Sequence, residues 1–343
     1  VKPRPWLAAA EEVGMNLVFH LLTRYVADED YARIGWKSIK NNFETGFLWD
    51  NDKFETNLFS HPYQGGLYYN AARSNGMNFW QSAPFTLMGS AIWELFMETQ
   101  PPSTNDIIAT TFGGIALGEM THRLSSLILN EQATGSERVF RELAAAIINP
   151  VRGVNRLARG ESWRIGPRYV DETANVPFHF QFGAGYRVLK DNDTNSKSKH
   201  IGNIDLAMIY NDPFEIDGRV PFQYFHARFS FNLFSRQPSL GTAKLCASIW
   251  GKATDYKIGS ELFWGIFQNF NYYNSESLNR SHDDIPFRIA ETVSYGPGAI
   301  FRLPLHNINS VALVSGYASG IVLGGSYSDN FDFQDRDYNM GSG

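Results

Sequence analysis

"PFQYFHARFSFNLF" (residues 221–234) sorts its side chains into two rows: Phe225, Ala227, Phe229, Phe231 and Leu233 in one, His226, Arg228, Ser230, Asn232 and Phe234 in the other. Successive side chains of a strand point to opposite faces, so the stretch reads as a strand with one apolar and one largely polar face. The same alternation runs outward on both sides. It occupies "VPFHFQFGAGYRVL" (176–189), "HIGNIDLAMIYND" (200–212), "AKLCASIWGKAT" (243–254), "GSELFWGIFQNFNYY" (259–273), "PFRIAETVSYGPGAIFRL" (286–303) and "NSVALVSGYASGIVLGGSY" (309–327). Segments rich in Asp, Asn, Ser and Pro, such as "KDNDTNSKSK" and "NSESLNRSHDD", separate them as turns.

Strands this long exceed the usual five or six residues of a soluble sheet and suffice for the roughly 9 to 11 that cross a bilayer's hydrocarbon. Residues 161–343 therefore read as a long-stranded antiparallel β-barrel of outer-membrane type, with the apolar row toward lipid. A closed bacterial barrel takes an even strand number, so at least eight are expected. The strand beyond the seven would come from "ESWRIGPRYV" (161–170), from the first half, or from beyond "RDYNMGSG" at the C-terminus. A soluble periplasmic β-sandwich binding module, with the apolar face inward, is the other reading of the alternation.

Composition narrows the choices. The chain has 343 residues, a formal charge of -5 and a pI near 5.9, which gives no basic face for nucleic acid. Cys246 is the single cysteine, so no internal disulfide or Cys-rich zinc site is possible, and its place in a strand suits a small buried apolar group. Aromatic residues make up 15 % of the chain, which fits large rings packed on sheets and also the aromatic girdles of membrane barrels. No apolar run is long enough for a membrane-spanning helix. Glu11 and Glu12 interrupt the N-terminal apolar run, so no signal peptide is read there. Both termini read as cuts, and an exported protein would have lost its leader before Val1.

Residues 1–160 follow a helical grammar instead. Helices are expected over Trp6 to Tyr25, Leu67 to Arg73, Asn78 to Glu98, Thr104 to Asn130 and Ser136 to Asn149, the last ending at Pro150. In "PPSTNDIIATTFGGIALGEMTHRLSS" (101–126), Ser103 and Asp106 form a capping-box-like start. Gly114 and Gly118 then provide a small-residue seam, for which Gly89 and Ser90 of the preceding helix are the expected partners. The overall class is α+β: a helical region with a small-residue hairpin seam that plugs or braces the barrel behind it.

Glu94 and Glu98 share one helical face, and Glu119, His122 and Arg123 share another. Should the two faces meet, carboxylates, an imidazole and a guanidinium would converge. A solvated Glu119–Arg123 pair is the bland alternative. A dimetal reading of "EMTH" needs a second Glu-x-x-His, which is absent from the sequence, so neither metal nor cofactor is expected. A hydrolase reading takes His122 or His61 as general base, oriented by Glu98 or Glu119, with Ser74, Ser82, Ser90 or Ser125 as nucleophile; no GxSxG elbow accompanies them.

In "SHPYQGGLYYNAARSNG" (60–76), His61 precedes proline and is expected outside a helix, with Gly65 and Gly66 allowing tight turns. Tyr68, Tyr69 and Arg73 could form a hydrogen-bonding cluster that binds a ligand, together with Glu94 and Arg123. Asp50, Asp52 and Asn57 near Trp49 could face a cation, although such residues usually bond their own backbone.

The ordered words "HPYQG", "YYNAARSNG", "GSAIWE", "PPSTND", "TTFGG" and "LGE" carry a family resemblance. Over roughly residues 40–130 the chain resembles the bacterial envelope family called domain of unknown function 3943. That resemblance implies a protein of the outer membrane of a Gram-negative, often Bacteroidetes-type, bacterium, with outer-membrane lipid as a partner. It implies no activity. Non-enzymatic binding or passage of a small or lipidic ligand is the leading expectation, and a lipid or ester hydrolase of the envelope the alternative.

Overall fold

The computed structural model describes residues 2–50, 52–166, 176–189, 199–234, 237–256, 259–275, 287–305, 310–326 and 339–343. The chain divides into two compact units, Val1–Asn175 and Val176–Gly343.

The first unit is helical. α1 (Pro5–Tyr25) opens on a proline, whose missing N–H would have no helical partner there in any case. α2 (Trp36–Thr45) was not expected; it starts at Gly35, whose N–H donates to Ser38 Oγ at 3.0 Å. α3 (His61–Ser74), α4 (Phe79–Phe96), α5 (Thr104–Ile108), α6 (Gly114–Ile128) and α7 (Gly135–Ile148) follow. α8 (Pro150–Ala158) begins at the proline expected to end its predecessor, because Pro150 is tolerated in a first turn and the Asn149 side chain accepts from Arg152 N at 3.0 Å. Among the described residues no helix is long and apolar enough to cross a membrane.

Wide π-helical turns lead into α3 (Thr56–Ser60) and join α5 to α6 (Ala109–Gly113). The first corrects the expectation for His61, which is helical (φ -60°, ψ -48°) with its N–H bonded back to Thr56 O. A widened turn moves aside the carbonyl that a proline ring would strike, so His61 and Pro62 both fit within a helix.

The seam partner also differs from expectation. Gly114 and Gly118 pack on α3, not on Gly89 and Ser90 of α4. A Cβ on Gly65 would lie 1.8 Å from the Thr110 carbonyl oxygen, and one on Gly114 would lie 2.5 Å from the Gly65 carbonyl carbon. Gly65 and Gly66 thus permit helix contact rather than tight turns. Gly89 instead makes room for Tyr68, whose ring would be 2.5 Å from a Cβ there.

Among its described residues the second unit is a nine-stranded antiparallel sheet. β1 (Phe178–Leu189), β2 (Lys199–Tyr210), β3 (Phe225–Leu233), β4 (Leu240–Asp255), β5 (Glu261–Ser275) and β6 (Phe287–Leu305) form a meander in chain order. β7 (Ser310–Tyr317) and β8 (Gly320–Ser326) both pair with β6, and β9 (Asn339–Gly341) pairs with β8. The single strand expected over 309–327 is thus interrupted at Ala318 and Ser319, where Ala318 O fills the space that a Cβ on Gly296 would need. That break already brings the seven expected strands to eight, and β9, from the C-terminal tail, adds a ninth. In "ESWRIGPRYV", residues 161–166 form no strand and 167–170 lie outside the described residues. Among the described residues no pairing joins β1 to β8 or β9, so the expected barrel closure is not seen and the sheet is open.

The faces need a further correction. Phe225 and Ala227, expected to face lipid, are buried, while Arg228 is exposed. Phe225 stacks on Tyr210 with centroids 4.7 Å apart, and in register it sits beside Ala247, so apolar neighbours already cover this end of the row. Exposed apolar side chains gather instead on one face of β4 to β7: Trp250, Trp264, Ile266, Phe301, Leu303 and Val314. The registers Trp250↔Ile266, Trp264↔Ala299, Leu262↔Phe301 and Phe301↔Val314 make the patch continuous. A bulge between Ser248 and Trp250 turns Trp250 out, whereas Ser248 and its neighbour Phe267 are buried. Tyr224, Cys246, Phe263, Phe267 and Ile300 form a buried cluster in this unit, so Cys246 is the buried group its position suggested.

Candidate functional site

The two charged helix faces do not converge. Glu119 is fully buried between two arginines: Arg73 Nε donates to Oε2 at 2.7 Å and Arg123 Nε to Oε1 at 2.7 Å. Tyr69 OH donates to the same Oε2 at 2.8 Å. The Glu119–Arg123 pair therefore forms, but inside the unit rather than in water. Tyr69 and Arg73 belong to it, while Tyr68 faces away and donates to Asn16 Oδ1 at 2.6 Å. Buried ion pairs need such additional hydrogen bonds to offset the loss of water, and Glu119 has them.

His122 is buried near Arg73, Arg152 and Arg123. Burial first, and those guanidinium groups second, hold its imidazole well below the ordinary histidine range. Its Nδ1 has no hydrogen-bond partner, and Ser125 Oγ donates to its backbone carbonyl at 2.8 Å. Ser82 likewise bonds a backbone carbonyl, that of Asn78, and the hydroxyls of Ser74 and Ser90 are buried without partners. None of the four candidate nucleophiles is thus hydrogen-bonded to a histidine ring.

Glu94 and Glu98 take part in a different assembly, with His61, Asp106, Asp50 and Asp52. Ser103 caps α5 by accepting from Asp106 N at 3.2 Å, but the Ser103 N–H donates to Glu94 Oε2 at 2.8 Å. Glu94 therefore fills the second half of the capping box, and the Asp106 side chain is free for other partners. Asn105 Nδ2 donates to Asp50 Oδ1 at 2.6 Å and to Asp106 Oδ1 at 2.9 Å, and Asn57 Nδ2 reaches Asp50 Oδ1 at 3.0 Å. A parallel bridge between Leu48 and Ser103 fixes the loop that carries Asp50 against the start of α5.

Crowded carboxyls out of water share protons, because adjacent negative charges in a poorly solvated site are costly. Burial pushes Asp106 well above the usual carboxylate range, aided by Glu94 and Asp50. Burial and then Glu98 do the same to Glu94, and burial raises Glu98 to about 8. Asp50 is the exception: burial opposes its ionisation, yet hydrogen bonds from Asp106, Asn105 and Asn57 hold it below its ordinary value. Burial lowers His61 to about 4, so the imidazole is neutral at neutral pH. Its Nε2 lies 3.4 Å from Asp106 Oδ2, but the direction is not that of a hydrogen bond and Nε2 has no partner.

Above this floor opens a cavity of about 280 Å³. Phe19, Leu22 and Trp93 supply its apolar wall, and Tyr31, Asp52, His61, Gln64 and Glu98 are among its polar groups. No lysine or arginine lines it among the described residues. Among those residues, also, no group of three or more His, Cys, Asp or Glu side chains is arranged to hold a metal ion.

Asn105, Tyr31 and Glu12 escaped the sequence reading. Asn105 stands in the "STND" start between two residues that were given roles, and its value as a bridge appears only once Asp50 is brought beside it. Glu12 is fully buried in α1 with both carboxyl oxygens unpartnered, and burial raises it to about 9. Its only sequence signal is a carboxylate one turn before Asn16 on the inward row of α1.

The structure thus defines a helical unit with an open pocket over buried carboxyl groups, followed in the chain by an antiparallel sheet. Residues 46–151 match the family described as "Domain of unknown function (DUF3943)", and the match takes in His61, Glu94, Glu98, Asp106 and the Glu119 network. No curated protein and no solved structure matches the chain.

Proposed function

We propose that this is a non-enzymatic protein of the Gram-negative outer membrane whose helical unit binds a small or lipidic ligand. The cavity of about 280 Å³ between α1, α3 and α4 carries the binding reading, with apolar Phe19, Leu22 and Trp93 on one side and polar groups on the other. A small-molecule site likewise sets an apolar wall against placed polar groups, and here the polar groups are the more numerous. Contact with lipid is supported by the continuous exposed patch from Trp250 to Val314 and by strands of 15, 16 and 19 residues in β5, β4 and β6. Large exposed apolar patches mark interaction surfaces, and Lys252, opposite Trp264, has a stem long enough to lift its charge to the headgroups.

Binding is tested on the full chain purified in detergent, titrated with hexan-1-ol, hexylammonium and hexanoate. At least one probe is expected to bind and to lose its affinity at least tenfold in Leu22→Trp, a substitution at a half-exposed position on the cavity wall. Unchanged affinity of every probe in that variant would contradict the pocket as the site.

A further inference from the structure

We infer that the ligand of the α1–α3–α4 cavity carries a cationic nitrogen, an ammonium group on a short apolar body. This rests on the reading of the cavity as a ligand site and names the class of ligand it takes. Every group of formal charge on the lining is a carboxyl, Asp52 at the loop and Glu98 at the end of α4. Behind Glu98 stand Glu94, Asp106 and Asp50, which share protons with one another rather than with a basic side chain. Lys53 acts on Asp52 but does not line the cavity.

Two further observations point to a ligand there. His61 is buried and lines the cavity, and its Nε2, 3.4 Å from Asp106 Oδ2, has no hydrogen-bond partner, so the floor of the cavity holds polar groups that the fold itself leaves unsatisfied. The rings of Phe19, Tyr31 and Trp93 surround the same space, and aromatic faces attract a desolvated cation. An alcohol would satisfy the hydrogen bonds but not the charge, and a carboxylate would add one more like charge to a crowded site.

A cation also resolves the crowding by taking the place of a proton. The groups that face Glu98, which lies just past the end of α4, are Glu94 on α4, Asp106 on α5, Asp50 and Asp52 on the loop before α3, His61 on α3 and Tyr31 before α2. His61 is neutral over the relevant range, so the proton displaced comes from the carboxyls, of which Glu98 lines the cavity.

The test is isothermal titration of the full chain with hexylammonium, hexan-1-ol and hexanoate, in the wild type and in Glu98→Gln. Hexylammonium is expected to bind at least tenfold more tightly than either other probe, and Glu98→Gln to remove that preference. Hexylammonium affinity is also expected to rise ~20-fold from pH ~6.5 to pH ~8.5, as ionised Glu98 becomes available. Should Glu98→Gln fail to fold, the wild-type ranking and its pH dependence decide the matter. Equal or tighter binding of hexan-1-ol or hexanoate would overturn the cationic class and leave the cavity a ligand site. Binding of none of the three probes would overturn both.

Discussion

His61 and Asp106 face each other at 3.4 Å with neither a charge pair nor a hydrogen bond between them at neutral pH. Burial keeps the imidazole neutral and pushes the carboxyl well above the usual carboxylate range. A polar pair held in this way has several consequences that can be measured.

The first concerns acid stability. Burial depresses His61 from the ordinary 6.5 to about 4 in the fold. The neutral ring is therefore at no disadvantage above pH 6.5, and stability is lost as the pH falls through that window because the unfolded chain takes up the proton first. His61→Gln should remove this loss. In urea unfolding, the difference between variant and wild type is expected to shift by ~1–3 kcal/mol in favour of the variant between pH ~7 and pH ~4.5.

Glu12 acts in the opposite direction. Its folded value of about 9 lies above that of an unfolded glutamate, so its neutral form is fully compatible with the fold at low pH. Stability then declines as the pH rises through the window up to about 9, because the unfolded carboxylate ionises and the buried one does not. Glu12→Gln is expected to be near neutral at pH ~4.5 and stabilising by ~1–3 kcal/mol at pH ~8. Equal effects at the two pH values would contradict the burial of a protonated acid.

The α3–α6 seam makes a steric prediction. A Cβ on Gly65 would fall 1.8 Å from Thr110 O, a backbone atom that cannot step aside. Gly65→Ala should therefore destabilise by ~2–3 kcal/mol or more. Gly14 in α1 has nothing within 4 Å of the same position, so Gly14→Ala should stabilise by ~0.5–1 kcal/mol. Chemical denaturation of the two variants checks both signs.

Ile266 is exposed beside Trp250 in the apolar patch of the sheet. A basic side chain in a lipid-facing patch costs ~2–4 kcal/mol near the bilayer midplane. Ile266→Arg is accordingly expected to reduce the fraction of protein retained in carbonate-washed outer membranes. Retention equal to that of the wild type would argue against lipid contact at this face.

Most of the helices and strands were legible in the sequence because periods of 3.6 and 2 are written directly in the apolar residues, but the short α2 was not. α8 and the helical state of His61 were not, since a proline read alone signals a boundary and only the neighbouring turn shows whether its ring has room. The alternation of Phe225 to Leu233 gave a two-faced strand but not which face is inside, a choice set by Tyr210 and Ala247 on neighbouring strands. The site divided in the same way. His61, Glu94 and Glu98 could be picked out as chemically notable, whereas Asp106 was assigned to a cap that Glu94 completes. The separation of Glu119 from Glu98 depends on α3 lying against α6, and the glycines that bring it there, Gly65 and Gly66, also suit a turn.

The acid pocket as a cation site is tested most directly by the protons released on binding. Hexylammonium is titrated into the full chain at pH ~7 in two buffers of different ionisation enthalpy, and the difference in heat gives the protons released per ligand bound. With Glu98 raised to about 8, nearly all of it is protonated at that pH, so release of ~0.9 proton per hexylammonium is expected. Identical heats in the two buffers, meaning that binding displaces no proton, would contradict it.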